Sequence, residues 1–281
     1  MRRALLLLFL LCPSIRGADA ATPIRVASLN LTADEILVEL LPPERLVAVT
    51  RWADEPNTSN VAGRVPPSAF RFQKADMERL VALTPDLVVV SEYTDADFLK
   101  LLEQSGLRYH RMEGLSSLPG FRAAVLKLGE AVGAAEAARR LTARYDAVLG
   151  DLARRLEGVP RPRVLYWADP HTAGASTALD ALIEAGGGRN VGRELGLQGI
   201  APIGAERAFV ADPDVVLIGS GWSSAEALKA HPLLSRMRAV REGRVVELPT
   251  QLLVTLSHHA ADACWRLAWA LHRDRIPGPQ P

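Results

Sequence analysis

The chain has 281 residues, of which 48% are hydrophobic and 23% charged; this is the make-up of a water-soluble globular protein, and the length suits two α/β lobes better than one core. A formal net charge of +1 leaves no electrostatic footprint for nucleic acid, so no polyanionic partner is implied.

At the N-terminus, Arg2 and Arg3 precede the apolar run of residues 5–11, and Ala18-Asp19-Ala20 sets small residues around a cleavage point. This reads as a secretory signal over residues 1–20. The apolar run is too short for a permanent membrane anchor, so the mature protein is expected to be soluble outside the cytoplasm. Cys12 raises lipid attachment as an alternative. Leu10 and Leu11 stand before it where such sites need a small residue, so simple cleavage near Ala20 is preferred. Cys264 then has no disulfide partner and reads as a small buried hydrophobe in an apolar helix.

Residues 25–30 read as a first strand, with Thr32 as the N-cap of an amphipathic segment over 33–41 that Pro42-Pro43 ends. Residues 46–50 are the second strand. Residues 51–74 form a long loop, punctuated by Pro56, Gly63, Pro66 and Pro67 and holding Trp52, Phe70 and Phe72; loops this long inside a compact lobe are usually functional. Next comes a pattern that occurs twice, over residues 78–90 and 206–218. In each copy a short helix starts at or near a Glu, a Pro-Asp pair stops it, and an unbroken aliphatic run follows, as suits a strand covered on both faces of a parallel sheet. A helix over 96–104 with Gly106 as its stop, and a strand near 107–112, complete a first lobe spanning 24–133.

Pro119 opens a helix that runs to about residue 132, and the longest helical pattern follows over 134–157. Its apolar positions Ala137, Leu141, Tyr145, Val148, Leu152 and Leu156 recur every three or four residues. At ~1.5 Å rise per residue this helix is roughly 35 Å long, enough to cross from one lobe to another. The second lobe, 158–276, has a strand at 164–167, a turn at 169–174, and a helix at 177–185 closed by Gly186-Gly187-Gly188. The second copy of the repeated pattern follows, then a short helix at 225–229, a strand at 245–248 and a last helix at 257–272.

Val26-Ala27-Ser28-Leu29 leading into Thr32, the two Glu…Pro-Asp patterns, Gly187-Gly188-Arg189-Asn190-Val191 after a helix, and a single long mid-chain helix come in a specific order. On these features the chain resembles the class III periplasmic binding proteins, the soluble receptors of ABC importers for vitamin B12, iron siderophores and haem. The likeness spans nearly the whole mature chain. It implies an α/β fold of two βα lobes with central, mainly parallel sheets, bridged by one long helix, with a ligand cleft between the lobes. Only modest hinge motion is expected, because a continuous helix packed on both lobes does not absorb large φ/ψ changes. The resemblance also implies a periplasmic monomer, without cofactor, that hands a small-molecule metal chelate to an ABC permease at the inner membrane.

By the same resemblance Glu78 and Glu206 are permease-docking carboxylates, one per lobe, that meet Arg residues. The plainer reading is a favourable contact with the dipole of a short helix, worth a few tenths to about 1 kcal/mol; Glu at the same place in both copies favours docking. The candidate ligand contacts are Trp52, Phe72, Tyr93, Trp167, His171 and Trp222, on loops leaving predicted strands. Aromatics make up only 5% of the chain, so their gathering at strand ends suits a bulky planar ligand. The resemblance sets Trp52 and Phe72 on aromatic positions of the corrinoid pocket, and His171 on an aromatic position of the second lobe. Trp167 and Tyr93 equally suit the covering of their own lobes, and His171 suits an ordinary turn residue or an axial nitrogen for cobalt or iron. Arg51, Arg64 and Arg71 offer either anion recognition or solvated surface.

Adjacent His258 and His259 point roughly 100° apart on a regular helix and do not chelate one ion, and neither HxxxH nor CxxC occurs. No metal site is therefore expected, nor a receptor for bare Zn or Mn. The G-x-S-x-G elbow, the Gly-Lys phosphate loop and the G-x-G-x-x-G turn are missing, which argues against an enzyme such as a secreted α/β hydrolase. The second-lobe loops carry Pro170, His171, Thr172, Trp222 and Ser223, whereas a polyanionic siderophore asks for convergent Arg. A corrinoid is favoured, with haem and siderophore as alternatives.

Overall fold

The computed structural model describes residues 22, 24–254 and 257–279; the expected signal segment and Cys12 lie outside the described residues. Strands β1 (Val26–Ser28), β2 (Leu46–Thr50), β3 (Phe70–Phe72), β4 (Leu87–Ser91) and β5 (Tyr109–Met112) form one sheet in the order β3-β2-β1-β4-β5. Every pairing in it is parallel. Around it lie α1 (Leu31–Leu40), α2 (Met77–Ala82), α3 (Ala96–Gln104) and α4 (Leu118–Ala131). The chain then runs through α5 (Ala135–Arg155) into a second unit. Here β6 (Arg163–Tyr166), β7 (His171–Ala173), β8 (Arg189–Asn190), β9 (Ile200–Pro202), β10 (Val215–Ser220) and β11 (Val245–Pro249) alternate with α6 (Ala178–Ala185), α7 (Val191–Glu194), α8 (Ala205–Ala211), α9 (Ala225–Ala230) and α10 (Arg238–Arg241). The four-stranded sheet β11-β10-β6-β8 is again parallel, while β7 and β9 make a separate antiparallel ribbon. Helices α11 (Gln251–Val254) and α12 (Ala260–Leu271) complete the order.

Two expectations change in the first lobe. The N-cap of α1 is Asn30, whose side-chain oxygen accepts the Ala33 amide at 2.9 Å. Thr32 lies inside the first turn, because the carboxamide captures the helix start two residues earlier. Residues 51–74 are not all loop: a 3-10 turn covers Arg51–Asp54, and β3 adds to the edge of β2. The aromatic alternation Phe70-Arg71-Phe72 is the period-2 signal of such a strand.

Helix α5 serves both cores. Its Leu141 and Tyr145 enter the first, its Leu152 the second, at opposite ends of one apolar stripe. Helix α12 packs alongside it and does the same with Ala260 and Ala261 at one end and Leu267 and Ala268 at the other. Two helices therefore tie the sheets together. Cys264 is buried in the second core, where burial pushes its thiol up to about 12.

The repeated pattern is held in the same way in both lobes. The residue before each Pro, Thr84 or Asp212, adopts a positive φ of 44° or 41°, and the following Pro keeps it out of the right-handed helical region. The Asp after the Pro reaches the start of the neighbouring strand. Asp86 Oδ2 accepts the amides of Ile24 and Arg25, both at 2.8 Å, and Asp214 Oδ2 accepts that of Arg163 at 2.9 Å. That Arg then turns back to the helix end: Arg25 donates to the carbonyls of Leu83 (2.8 Å) and Thr84 (3.2 Å), and Arg163 to those of Ala211 (2.8 Å) and Asp212 (3.0 Å). These carbonyls lie at or within two residues past the helix end, where a helix leaves its carbonyls without internal partners.

Candidate ligand cleft and docking face

In parallel sheets the groups that meet ligands collect beyond the carboxyl ends of the strands. Trp52 leaves β2 in the 3-10 turn and is 43% exposed, with the Arg51 guanidinium 3.7 Å from the centre of its ring system. Tyr93 follows β4 at 74% exposure, and Trp222 follows β10 at 57%. Trp222 is steadied by its amide, which donates to the Gly219 carbonyl at 3.2 Å, next to Gly221 with φ 87°. His171 opens β7 and is exposed.

Phe72 and Trp167 are elsewhere. Phe72 pairs with Thr50 at the end of β3, and this register sends its ring into a core with Ala48, Leu80, Val88 and Leu102. It lies edge-on to Phe70 at 4.9 Å. The Trp167 amide continues the β6–β10 ladder to Leu217, and the side chain is buried with Leu165, Ile203 and Ile218. Neither ring offers a face to a ligand, and for both the cleft expectation is corrected: a residue at a strand end still follows the alternation of that strand.

Loops from the two sheets meet through a network that lies outside the residues singled out from the sequence. Asn60, in the segment after β2, donates its amide (2.8 Å) and side chain (3.0 Å) to Glu35 Oε1, and the same Nδ2 reaches the Gln251 carbonyl just beyond β11 at 2.9 Å. Beside it Asp34 accepts the Thr50 amide (3.1 Å) and hydroxyl (2.6 Å), which ties the exit of β2, and with it the approach to Trp52, to α1. The signal was two adjacent acids, Asp34-Glu35, inside an otherwise apolar helix segment.

Burial pushes the Asp34 carboxyl up to about 7, against the hydrogen bonds from Ser28 and Thr50. The folded protein thus keeps this proton at pH values where the unfolded chain has lost it. Stability from this group is fully present below the ordinary carboxyl value of 3.8 and is lost as pH rises through about 7. Asp34→Asn is expected to flatten that loss, gaining on wild type by up to about 1.4 kcal/mol per pH unit inside the window. Urea midpoints at pH 5 and pH 8 check it, and parallel changes in the two proteins would refute the assignment.

Of the three Arg candidates, Arg64 is committed to Glu39 at 2.6 Å and Arg71 to Asp54 at 2.7 Å. Arg51 makes no such pair among the described residues and lies against Trp52. His258 and His259 fall in the turn before α12, not on a regular helix, and their rings are 4.0 Å apart with Glu39 Oε1 3.7 Å from His258 Nε2. Burial pushes His258 down to about 3 and lowers His259 as well, so both are neutral at pH 7. Among the described residues no three His, Cys, Asp or Glu side chains are grouped to hold a metal ion.

Glu78 and Glu206 are each the second residue of their helix, exposed, and in no ion pair among the described residues. Their neighbours are engaged by their own lobes: Arg79 lies 4.9 Å over the Phe70 ring, and Arg207 donates to the Leu195 carbonyl at 3.0 Å. A cavity of about 570 Å³ runs along β11 beside Trp269, and one of about 230 Å³ lies along β5 beside His110 and Lys127. Neither is lined by Trp52, Tyr93, His171 or Trp222. Among the described residues no helix is long and apolar enough to cross a membrane.

A family model described as periplasmic binding protein matches residues 26–252. A cobalamin-binding protein of Halobacterium salinarum is 27% identical over 267 residues, covering 90% of this chain and 71% of that protein. A periplasmic heme-binding protein from Pseudomonas aeruginosa is 26% identical with a TM-score of 0.72, covering 92% of this chain and 95% of that one. The periplasmic heme-binding protein RhuT from Roseiflexus sp. RS-1, in apo form, has a TM-score of 0.76 at 23% identity over 89% of this chain and 98% of that one, a likeness of fold alone.

Proposed function

The chain belongs to the periplasmic binding protein family of the ABC importers, and from that premise we propose that it captures a large, flat metal chelate, a corrinoid of the vitamin B12 type ahead of haem, and delivers it to a membrane permease. The observation that carries the reading is the set of exposed ring systems Trp52, Tyr93 and Trp222 on short connections beyond strand carboxyl ends, with exposed His171 at the start of β7. Large aromatics left open to water on fixed turns gain most from a flat apolar partner, because little side-chain entropy is lost when they are covered. With Arg64 and Arg71 committed to carboxylates, the cluster of guanidiniums that a polyanionic siderophore asks for is reduced to Arg51 in this loop. The cobalamin-binding relative supports the corrinoid. Haem is the second reading, favoured by the heme-binding relative and by the exposed phenol of Tyr93, a group able to ligate ferric iron.

On this proposal the lobes are residues 24–133 and 158–276 with 134–157 between them. Export follows cleavage near Ala20, and the working form is a monomer whose Glu78 and Glu206 meet the permease. Titration of the purified protein with cyanocobalamin, hemin and a ferric tris-catecholate tests the ligand. Micromolar or tighter binding is expected for cyanocobalamin, with the tris-catecholate at least tenfold weaker. Tight binding of the tris-catecholate alone would overturn the reading.

A further inference from the structure

The docking role given to Glu78 and Glu206 depends on where two very short helices point. Helix α2 has six residues and α8 seven, well below the length at which a helix is stable by itself in water. Their direction has to be imposed from outside. Each is packed on its sheet by one fully buried side chain, Leu80 or Ala208, with only partly buried neighbours such as Met77 or Phe209 beside it, and so small a contact leaves the tilt of a short rod loosely set.

The same chemical device supplies the missing constraint in both lobes. A guanidinium at the mouth of a parallel strand, Arg25 before β1 and Arg163 opening β6, grips two successive carbonyls at the end of the helix. The backbone amide of that Arg is held by the Asp that follows the helix-ending Pro. Strand mouth, helix end and Pro-Asp turn thus form one closed hydrogen-bonded ring. In the first lobe Arg25 Nε and Nη2 take one carbonyl each, and in the second Arg163 Nη1 takes both while its Nε holds Glu194; contacts from two nitrogens of a planar group fix an angle as well as a distance. The positive guanidinium also sits at the negative end of the helix. In the second lobe the ring is reinforced, because Arg163 Nε also donates to Glu194 at 2.8 Å and Arg238 pairs with Asp214 at 2.9 Å.

We propose that Arg25 and Arg163 are positioning residues for partner docking: by pinning the C-terminal ends of α2 and α8 they set the direction and spacing of the Glu78 and Glu206 carboxylates presented to two basic sites on one membrane partner. This rests on the docking reading of the two Glu residues and adds to it the groups that make the pair act as one. Leu83, with its pinned carbonyl, is five positions on from Glu78, about 7.5 Å of helix, so a tilt at the pinned end is carried to the carboxylate. Two-point docking is sensitive to that tilt, since the second contact forms at high effective concentration only when the spacing matches.

The test uses the purified chain and right-side-out membrane vesicles from the source organism lacking its own copy of this protein, with and without cyanocobalamin. Arg25→Ala with Arg163→Ala is expected to lower vesicle association about tenfold, to speed amide hydrogen exchange in α2 and α8 selectively, and to leave the cyanocobalamin dissociation constant within twofold. Arg25→Lys with Arg163→Lys, which keeps the charge on one donor nitrogen and removes the planar spread of several, is expected to lose about threefold, and these forms carry the test if the Ala forms do not fold. Wild-type vesicle association by folded Arg variants, while Glu78→Ala with Glu206→Ala loses it, overturns the positioning role alone. Wild-type association by the Glu variant overturns the docking reading, and this inference with it.

Discussion

Replacing Glu78 and Glu206 together with Ala is expected to abolish ligand uptake while leaving ligand affinity within about twofold of wild type. Both carboxylates are exposed and make no ion pair among the described residues, so little folding stability is attached to them; exposed charges contribute at most about 1 kcal/mol even when paired. At a docked interface the balance is different. Removing one member of a desolvated, hydrogen-bonded charge pair strands the other and costs roughly 2–5 kcal/mol, and two such losses exceed what a transient receptor–permease contact has to spare. Single variants are expected to fall between wild type and the double variant, and Glu→Arg to be worse than Glu→Ala because it adds repulsion from the partner's cations. Transport into whole cells, set beside equilibrium titration of the purified protein, checks both halves. A fall in affinity of tenfold or more, about 1.4 kcal/mol, would move these residues to the ligand and end the docking account.

What was legible in the sequence is what local chemistry decides. Helix α3 agrees with the reading at both ends, because Asp95 caps it and Gly106, with φ 72°, takes the left-handed turn that stops it. Strand β2 and the body of α5 were legible for similar reasons: an uninterrupted aliphatic run, and a stripe sustained over five turns. The elements that escaped are short and owe their existence to a neighbour. Strand β8 is two residues that pair with β6, and β7 and β9 exist only as each other's partners. No window of ten or so residues contains that information.

At the site, residue type and nearness to a strand end did not tell which way a ring points. Phe72 and Trp167 illustrate this: both follow the in-out alternation of the strand they end, and both turn inward. Trp52 and Trp222 lie in turns, free of that alternation, and stay open. The hydrogen-bonded rings closed by Arg25 and Arg163 were in principle visible. An Arg stands immediately before Val26 and before Val164, each at the start of a strand, and each lobe has its Pro-Asp. Matching those Arg positions to the Asp positions some sixty and fifty residues away needs the parallel register of β1 with β4 and of β6 with β10.

The second large effect expected is on affinity. Trp52→Ala with Trp222→Ala should weaken cyanocobalamin binding at least a hundredfold in protein that stays folded. Each indole is about half exposed, so truncation costs the folded protein less than at a fully buried ring; for Trp52 the stacked Arg51 adds a contact of about 0.5–1 kcal/mol at such a site. Covering roughly another 80–100 Å² of each ring with ligand is worth on the order of 2 kcal/mol per ring, and the pair together about 4 kcal/mol before any relaxation of the site. A hundredfold loss, about 2.7 kcal/mol, is the conservative end of that range. Phe72→Ala is the internal contrast: its ring is 3% exposed, so truncation should cost about 3–5 kcal/mol of stability with only a small change in affinity for protein that stays folded. Tryptophan fluorescence of the single variants Trp52→Ala and Trp222→Ala adds a direct readout, since a metal chelate stacked on an indole quenches it and each variant should lose its own share. Quenching and affinity that persist unchanged in the double variant would mean that the exposed indoles are not the ligand's walls, and that the chelate, if one binds, is held elsewhere.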